Sequence, residues 1–257
     1  MANELPDLIY EDLLPTRDYL REVALDLSCF QRSFLKKHPR DWHYGLEITV
    51  RGLITQECLV GHEPIRVSLD LVRHKLRLGQ ASWPLREYAA PELYKNLRAW
   101  LEHRDTAAKL ITPRFEKTAR QFNEQQSDTY SKALWWINDV FMSLKPKLIG
   151  GVVSPILLYP HHFDVSLVWY PFDDDRQIAI GWSSGDDTIP EPYVYATAYP
   201  EPDGFAKLPL PKGAYWHHTG FRGAILTYAH LQASSDPIAL FERYAQATVL
   251  AVKPLFG

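Results

Sequence analysis

Apolar side chains recur along this chain with two different periods, and each change of period marks a new element. Tyr19, Leu20, Val23, Ala24, Leu27, Phe30, Phe34 and Leu35 recur at three- and four-residue steps, which predicts a helix with one buried face. Thr16 is suited to cap its start. The helix has to stop before Pro39, because the residue preceding a proline disfavours helical torsions. Arg17, Arg21, Asp26, Arg32 and Lys36 fall on the opposite, polar face. Residues 1–15, with Pro6 and Pro15, read as an arm laid over the surface.

The period then drops to two. In 44–52, Leu46, Ile48 and Val50 alternate with Glu47, Thr49 and Arg51, as in a half-buried strand. Strands over 53–60, 64–72 and 74–80 follow with short connections, which suits antiparallel neighbours. Pro91 opens a second helix whose apolar face is Leu93, Leu97, Trp100 and Leu101. From 106 the pattern weakens: 106–113 reads as a short strand, and the next stretch as a polar helix with a stripe of Phe115, Ala119 and Phe122. Asp128 caps a long helix with Leu134, Ile137, Phe141 and Leu144 on one face, ended by Pro146 and Gly150-Gly151. Strands over 152–159, 163–170, 176–182 and 191–199 form a meander, with Asp173-Asp174-Asp175 as a turn. Prolines at 190, 192, 200, 202, 209 and 211 make 200–213 an irregular segment or edge. Residues 214–229 give two further strands or one bent pair, and Asp236-Pro237 opens a last helix facing inward through Leu240, Phe241, Tyr244, Ala247 and Leu250.

Helix, antiparallel strands, helix thus occurs twice. The fold class is α+β, with antiparallel sheets flanked by helices in one compact domain over 1–257. An internal duplication, with halves at 16–105 and 128–252, fits this order. Val-Ser-Leu recurs at 67–69 and 165–167, each time before a hairpin. Chance similarity of two amphipathic hairpins accounts for the same pattern.

Composition narrows the function classes. The 257 residues are 46% hydrophobic and 23% charged, and a net charge of −3 gives nucleic-acid binding no support. Aromatics are 13% of the chain, enough to fill a core or line a wet cleft. Two lone cysteines, Cys29 and Cys58, make no disulfide framework and fit a reducing, cytoplasmic compartment. The N-terminus lacks the pattern of a signal peptide, and no apolar run is long enough for a membrane partner. GxGxxG, GxxxxGK[ST] and HExxH are absent, and Ser183-Ser184-Gly185 is no nucleophile elbow, since a polar loop rather than a helix follows it.

The candidate chemistry lies mostly in 154–205. His162 and Asp164 share a face if both lie in a regular strand; if Pro160 starts a turn, His161 and His162 are both freed from it. A metal would need a third ligand, from His74, Glu201 or His217-His218, and zinc enters only with that reading. Tyr193, Tyr195, Thr197 and Tyr199 share one strand face, with Glu201 fixed between two prolines at its end. That face orients a polar ligand or a sugar ring, or it is a cross-strand ladder under a helix. Arg51, in Arg-Gly-Leu-Ile-Thr-Gln (51–56), holds an anion or a structural ion pair. The Asp173–Asp175 run lacks calcium-loop spacing.

The segments RGLITQ (51–56), SPILLY with HHFDVSL (154–167), GW with Ser-Ser-Gly-Asp (181–186) and YVYATAYPEPDGF (193–205) resemble a mainly bacterial family recorded only as a domain of unknown function. The opening helix departs from that pattern: Arg21 stands where the resemblance leads one to expect a histidine. The resemblance implies a fold grouping and no activity. The reading that best joins these observations is a small-molecule binding protein or enzyme, with an aromatic and polar pocket from 160–164, 193–201 and 216–218. His162, Asp164 and Glu201 are the candidate catalytic groups. Arg51, His161, Tyr193, Tyr195, Tyr199, Trp216 and His217 are the candidate ligand contacts. The alternatives are a metal-assisted hydrolase using His162 and Asp164, and a non-catalytic protein-interaction module. Oligomeric state is not legible in the sequence.

Overall fold

The computed structural model describes residues 5–102, 109–113 and 121–257. They form two compact units: an N-terminal unit of residues 11–135 and 157–163, and a C-terminal unit of residues 1–10, 136–156 and 164–257. Both are antiparallel sheets with helices, so the fold class is α+β.

In the N-terminal unit, helix α1 (Tyr10–Arg32) starts six residues before Thr16 and runs through Pro15. Pro15 removes one internal hydrogen bond, but the fully buried Leu13 extends the apolar stripe backwards, and the helix starts before Thr16. Thr16 is instead buried, and its hydroxyl accepts from the Asn123 amide at 3.0 Å. The buried surface of α1 is also wider than one stripe: Arg17 and Asp26, expected on the polar face, are both buried.

The strand expected over 44–52 breaks at Val50-Arg51, giving β1 (Leu46–Thr49) and β2 (Gly52–Ile54), a tight hairpin. A small separate hairpin follows, β3 (Cys58–Val60) with β4 (Glu63–Ile65). Then come β5 (Val67–Asp70), β6 (Lys75–Leu78) and β7 (Ala81–Pro84), and helix α2 (Ala90–Glu102) with Pro91 in its first turn. Residues 109–113 form no strand, and the rest of the stretch predicted over 106–120, with Phe115 and Ala119, lies outside the described residues.

Helix α3 (Glu124–Leu144) contributes 124–135 to this unit and 136–144 to the other. Its cap is Asn123, whose side-chain oxygen accepts from the Gln126 amide at 3.1 Å. Asp128, expected to cap it, lies inside the helix and pairs with His74 at 3.0 Å. The run 152–159 splits at Ser154-Pro155 into β8 (Val152–Val153) and β9 (Leu157–Tyr159). Strand β9 pairs with β1, and the strand order within this unit is β9-β1-β2-β5-β6-β7.

The C-terminal sheet is built from β10 (Asp164–Tyr170), β11 (Gln177–Ser183), β12 (Tyr193–Tyr199), β13 (Ala214–His217) and β14 (Gly223–Thr227). Its order is β10-β11-β12-β14-β13, with β8 on β10. Helix α4 (Tyr228–Gln232), absent from the sequence reading, starts at Thr227, whose hydroxyl accepts from the His230 amide. Helix α5 (Pro237–Ala245) is capped by Asp236 as expected and continues as a π-helical stretch over 246–250. The two units differ in the order of their strands. One runs in sequence after β2, while the other ends β12-β14-β13, so a duplicated topology is not confirmed.

The alternation of β10–β12 sorts this sheet into two faces. Val165, Leu167, Trp169, Ile178, Ile180 and Trp182 point one way and are buried. The stretch 246–250 lies against β11 and β12, and Tyr244 donates to the Ala224 carbonyl at 2.7 Å. The opposite face carries the polar residues.

Candidate functional site

In the N-terminal unit, residues 160–163 form a turn and Phe163 takes a left-handed φ of 53°. The parity argument that put His162 and Asp164 on one strand face therefore fails, because only Asp164 is in the strand. His161 and His162 are exposed. The His161 carbonyl accepts from the Arg21 guanidinium at 2.9 Å, and its ring lies 5.6 Å from that of Tyr44. Partial desolvation by its neighbours, then the charges of Arg32, His162 and Arg21, push the His161 imidazole below its ordinary pKa. Arg51 is ion-paired with the buried Asp70, and Gln56 donates to the Trp42 and Gly45 carbonyls at 2.6 and 3.0 Å. Among the described residues no three His, Cys, Asp or Glu side chains are grouped to hold a metal ion.

In the C-terminal unit the register lines up two rows across the sheet, the first polar and the second mixed, with the buried Ile225 in it. Asp164 pairs with Ser183, Ser183 with Tyr193, and Tyr193 with Thr227. Two residues along the strand, Ser166 pairs with Gly181, Gly181 with Tyr195, and Tyr195 with Ile225. The Tyr195 hydroxyl donates to Asp164, one row over. Tyr193 donates to Asp186 at 2.6 Å. Asp186 also folds the loop after β11, its other oxygen accepting from the Thr188 and Ile189 amides at 2.8 and 3.0 Å. Two phenol–carboxylate pairs thus stand side by side.

Both phenols are held far above their ordinary pKa. For Tyr193 the causes are burial and then the bond to Asp186; for Tyr195 they are burial and then the charge of Asp164. They stay neutral hydroxyls, fixed as donors, and are poorly suited to give up a proton. Asp164 and Tyr193 are 8% and 4% exposed, while Tyr195, Thr197 and His217 are half-buried and Tyr199 is exposed, so the face opens from a buried row toward solvent. A chain of rings follows the same direction: Tyr193 to Tyr195 at 6.3 Å, Tyr195 to Phe221 at 6.3 Å, Phe221 to His217 at 4.8 Å.

The sequence reading placed Tyr193, Tyr195 and Thr197 on one face, and the register agrees. Trp216 pairs with Ala224, which pairs with Ala196, so it belongs to the opposite, apolar face; its indole donates to the Leu208 carbonyl at 3.3 Å. Glu201 is ion-paired with Arg222 at 3.1 Å. The string Gly-Trp-Ser-Ser-Gly at 181–185 has the spacing of a nucleophile elbow, but a loop and then β12 follow it, and the buried Ser183 hydroxyl accepts from the Gly185 amide at 3.1 Å.

Two contributors escaped the sequence reading. Asp186 was visible only as part of a polar loop. Gly181 is the glycine inside an otherwise alternating strand, a pattern that marks close approach of another group. That group is the Tyr195 ring, since a Cβ at 181 would lie 2.1 Å from its Cζ.

No helix of the described residues is long and apolar enough to cross a membrane. The cysteines are free, and burial pushes the Cys58 thiol up to about 12. No curated protein and no solved structure matches the chain. The model of one family does match it, over residues 5–175 and 172–254, and the description of that family is "Family of unknown function (DUF5996)". The two matches together span both units, and the chain belongs to this family of unknown function.

Proposed function

We propose that the chain is a small-molecule binding protein whose polar sheet face, from Asp164 to Thr197, takes a neutral hydroxylated ligand. The observation that supports this most is the pair of phenol–carboxylate bonds, Tyr195 to Asp164 and Tyr193 to Asp186. Neighbouring strands are roughly 4.8 Å apart, a spacing suited to successive hydroxyls of a sugar or polyol. Neutral phenols bound to carboxylates form a fixed array of donors and acceptors, and the Tyr195 and Phe221 rings offer apolar surface for a sugar face. The high phenol pKa values favour binding over proton transfer by these groups. A cytoplasmic location goes with this reading, supported by the two free thiols.

The test is a panel of neutral monosaccharides and polyols titrated into isotope-labelled protein. A saturable shift confined to β10–β12 and the 186–189 loop, lost in Asp164→Asn, supports the reading. If no member shifts those resonances, or if binding survives Asp164→Asn with unchanged affinity, the reading is wrong.

A further inference from the structure

A cavity lies elsewhere in the C-terminal unit, between the end of α3 and α5. Its volume is about 460 Å³, within the range of small-molecule sites. One wall is a single face of α3 and the turn after it: Val140, Ser143, Leu144 and Lys147 stand at positions i, i+3, i+4 and i+7. The other wall is α5 and the π-helical stretch, through Ile238, Phe241, Ala245 and Leu250. Phe241, Leu144 and Ala245 supply buried apolar surface to the lining. Ile238, on the wall, is 40% exposed, so the groove is open to solvent.

The rim carries the charge. Lys147 is occupied by Glu242 at 2.8 Å. Arg243, next along α5 and exposed, has no carboxylate within ion-pair distance among the described residues. The rim therefore bears one uncompensated cation above an apolar trough. π-Helical turns, such as the one from Gln246 to the Ala251 amide at 3.1 Å, occur often at functional sites.

We propose that this groove binds a medium-chain carboxylic acid, with its alkyl chain against Val140, Leu144, Ile238 and Leu250 and its carboxylate on Arg243. The ligand class follows from the two parts of the groove. The apolar walls need a flexible chain without polar groups, and Arg243 accepts a carboxylate in a two-pronged bond. This site shares no residue with the polar sheet face and stands or falls apart from it.

Decanoate and decanol are the probes, measured by calorimetry on the full chain. One saturable decanoate site is expected, with decanol at least fivefold weaker. Arg243→Glu should weaken decanoate at least fivefold and leave decanol unchanged. Ala239→Trp, which fills the mouth, should abolish both while thermal unfolding stays cooperative. Should Ala239→Trp disturb the fold, Ile238→Asp on the exposed wall gives the same reading. No saturable decanoate binding, equal affinity for acid and alcohol, or binding that persists in both wall variants would overturn the proposal.

Discussion

Val-Ser-Leu occupies β5 and β10 alike, yet the outward polar rows beside it have opposite fates. In the N-terminal unit the row contains Glu47, Ile54, Ser68 and Arg77. Glu47 meets the Arg66 guanidinium at 2.8 and 2.9 Å, and the two side chains remain 39% and 38% exposed. In the C-terminal unit the row contains Asp164, Ser183, Tyr193 and Thr227, every one of them buried. The alternation is the same, and so is the tripeptide. The difference lies in what the neighbouring strand supplies. Strand β12 brings Tyr193 and Tyr195, and the Tyr195 ring fills the space over Gly181 of β11. Strand β2 brings three residues and no ring. Period-two patterning fixes which way a side chain points; the size of its cross-strand neighbours decides whether that side is wet.

The contrast sharpens if partnering, not burial alone, decides the cost of an acid, and Asp26 separates the two. It is 2% exposed, and neither carboxyl oxygen has a hydrogen-bond partner among the described residues. Burial, then the charge of Glu22, raises its pKa from 3.8 to about 9. The folded state holds this proton more tightly than the unfolded chain. Its contribution to stability is therefore fully present below about pH 3.8 and is lost as pH rises through about 9. Asp26→Asn removes the ionisation and keeps the shape. It should raise stability at pH 7 by a few kcal/mol, on the order of 3, with the gain vanishing near pH 4. Urea unfolding across that pH range measures it, and a gain independent of pH would break the assignment.

Tyr195→Phe comes next in size. It leaves the buried Asp164 short of a donor, and about 1–3 kcal/mol of stability should go with it. The matching change on the wet row, Arg66→Ala, should cost under about 1 kcal/mol and should matter less still in high salt. Equal losses in these two variants, read from denaturant midpoints, would mean that the two rows do not differ as described.

Much of this was legible before any coordinates. The strands β10, β11 and β12, the capping of α5 by Asp236 and the shared face of Tyr193 and Tyr195 all follow from local patterns that one strand or one turn decides alone. What was not legible needed a second element. Asp26 sits in a helical polar pattern, and only the packing around α1 shows it to be buried. Asp128 has the chemistry of a cap, but Asn123 lies five residues earlier and takes the role, leaving Asp128 to His74. Trp216 was assigned with its neighbour His217, although adjacent strand residues point to opposite faces. The pairing of His162 with Asp164 failed because Phe163, at a positive φ, ends the strand's parity one residue too soon. The α3–α5 groove was invisible for the same kind of reason: each wall reads as an ordinary amphipathic face, and only their juxtaposition leaves a space.

Gly181 and Tyr195 carry a consequence for inheritance. The ring occupies the volume that any side chain at 181 would need, so Gly181 cannot gain a side chain while the tyrosine stays. Across the family the two are expected to change together: a relative with a larger residue at the position of Gly181 has to give up the tyrosine. With the tyrosine it gives up the bond to Asp164. A side chain at the position of Gly181 thus marks a relative that lacks the phenol–carboxylate pair.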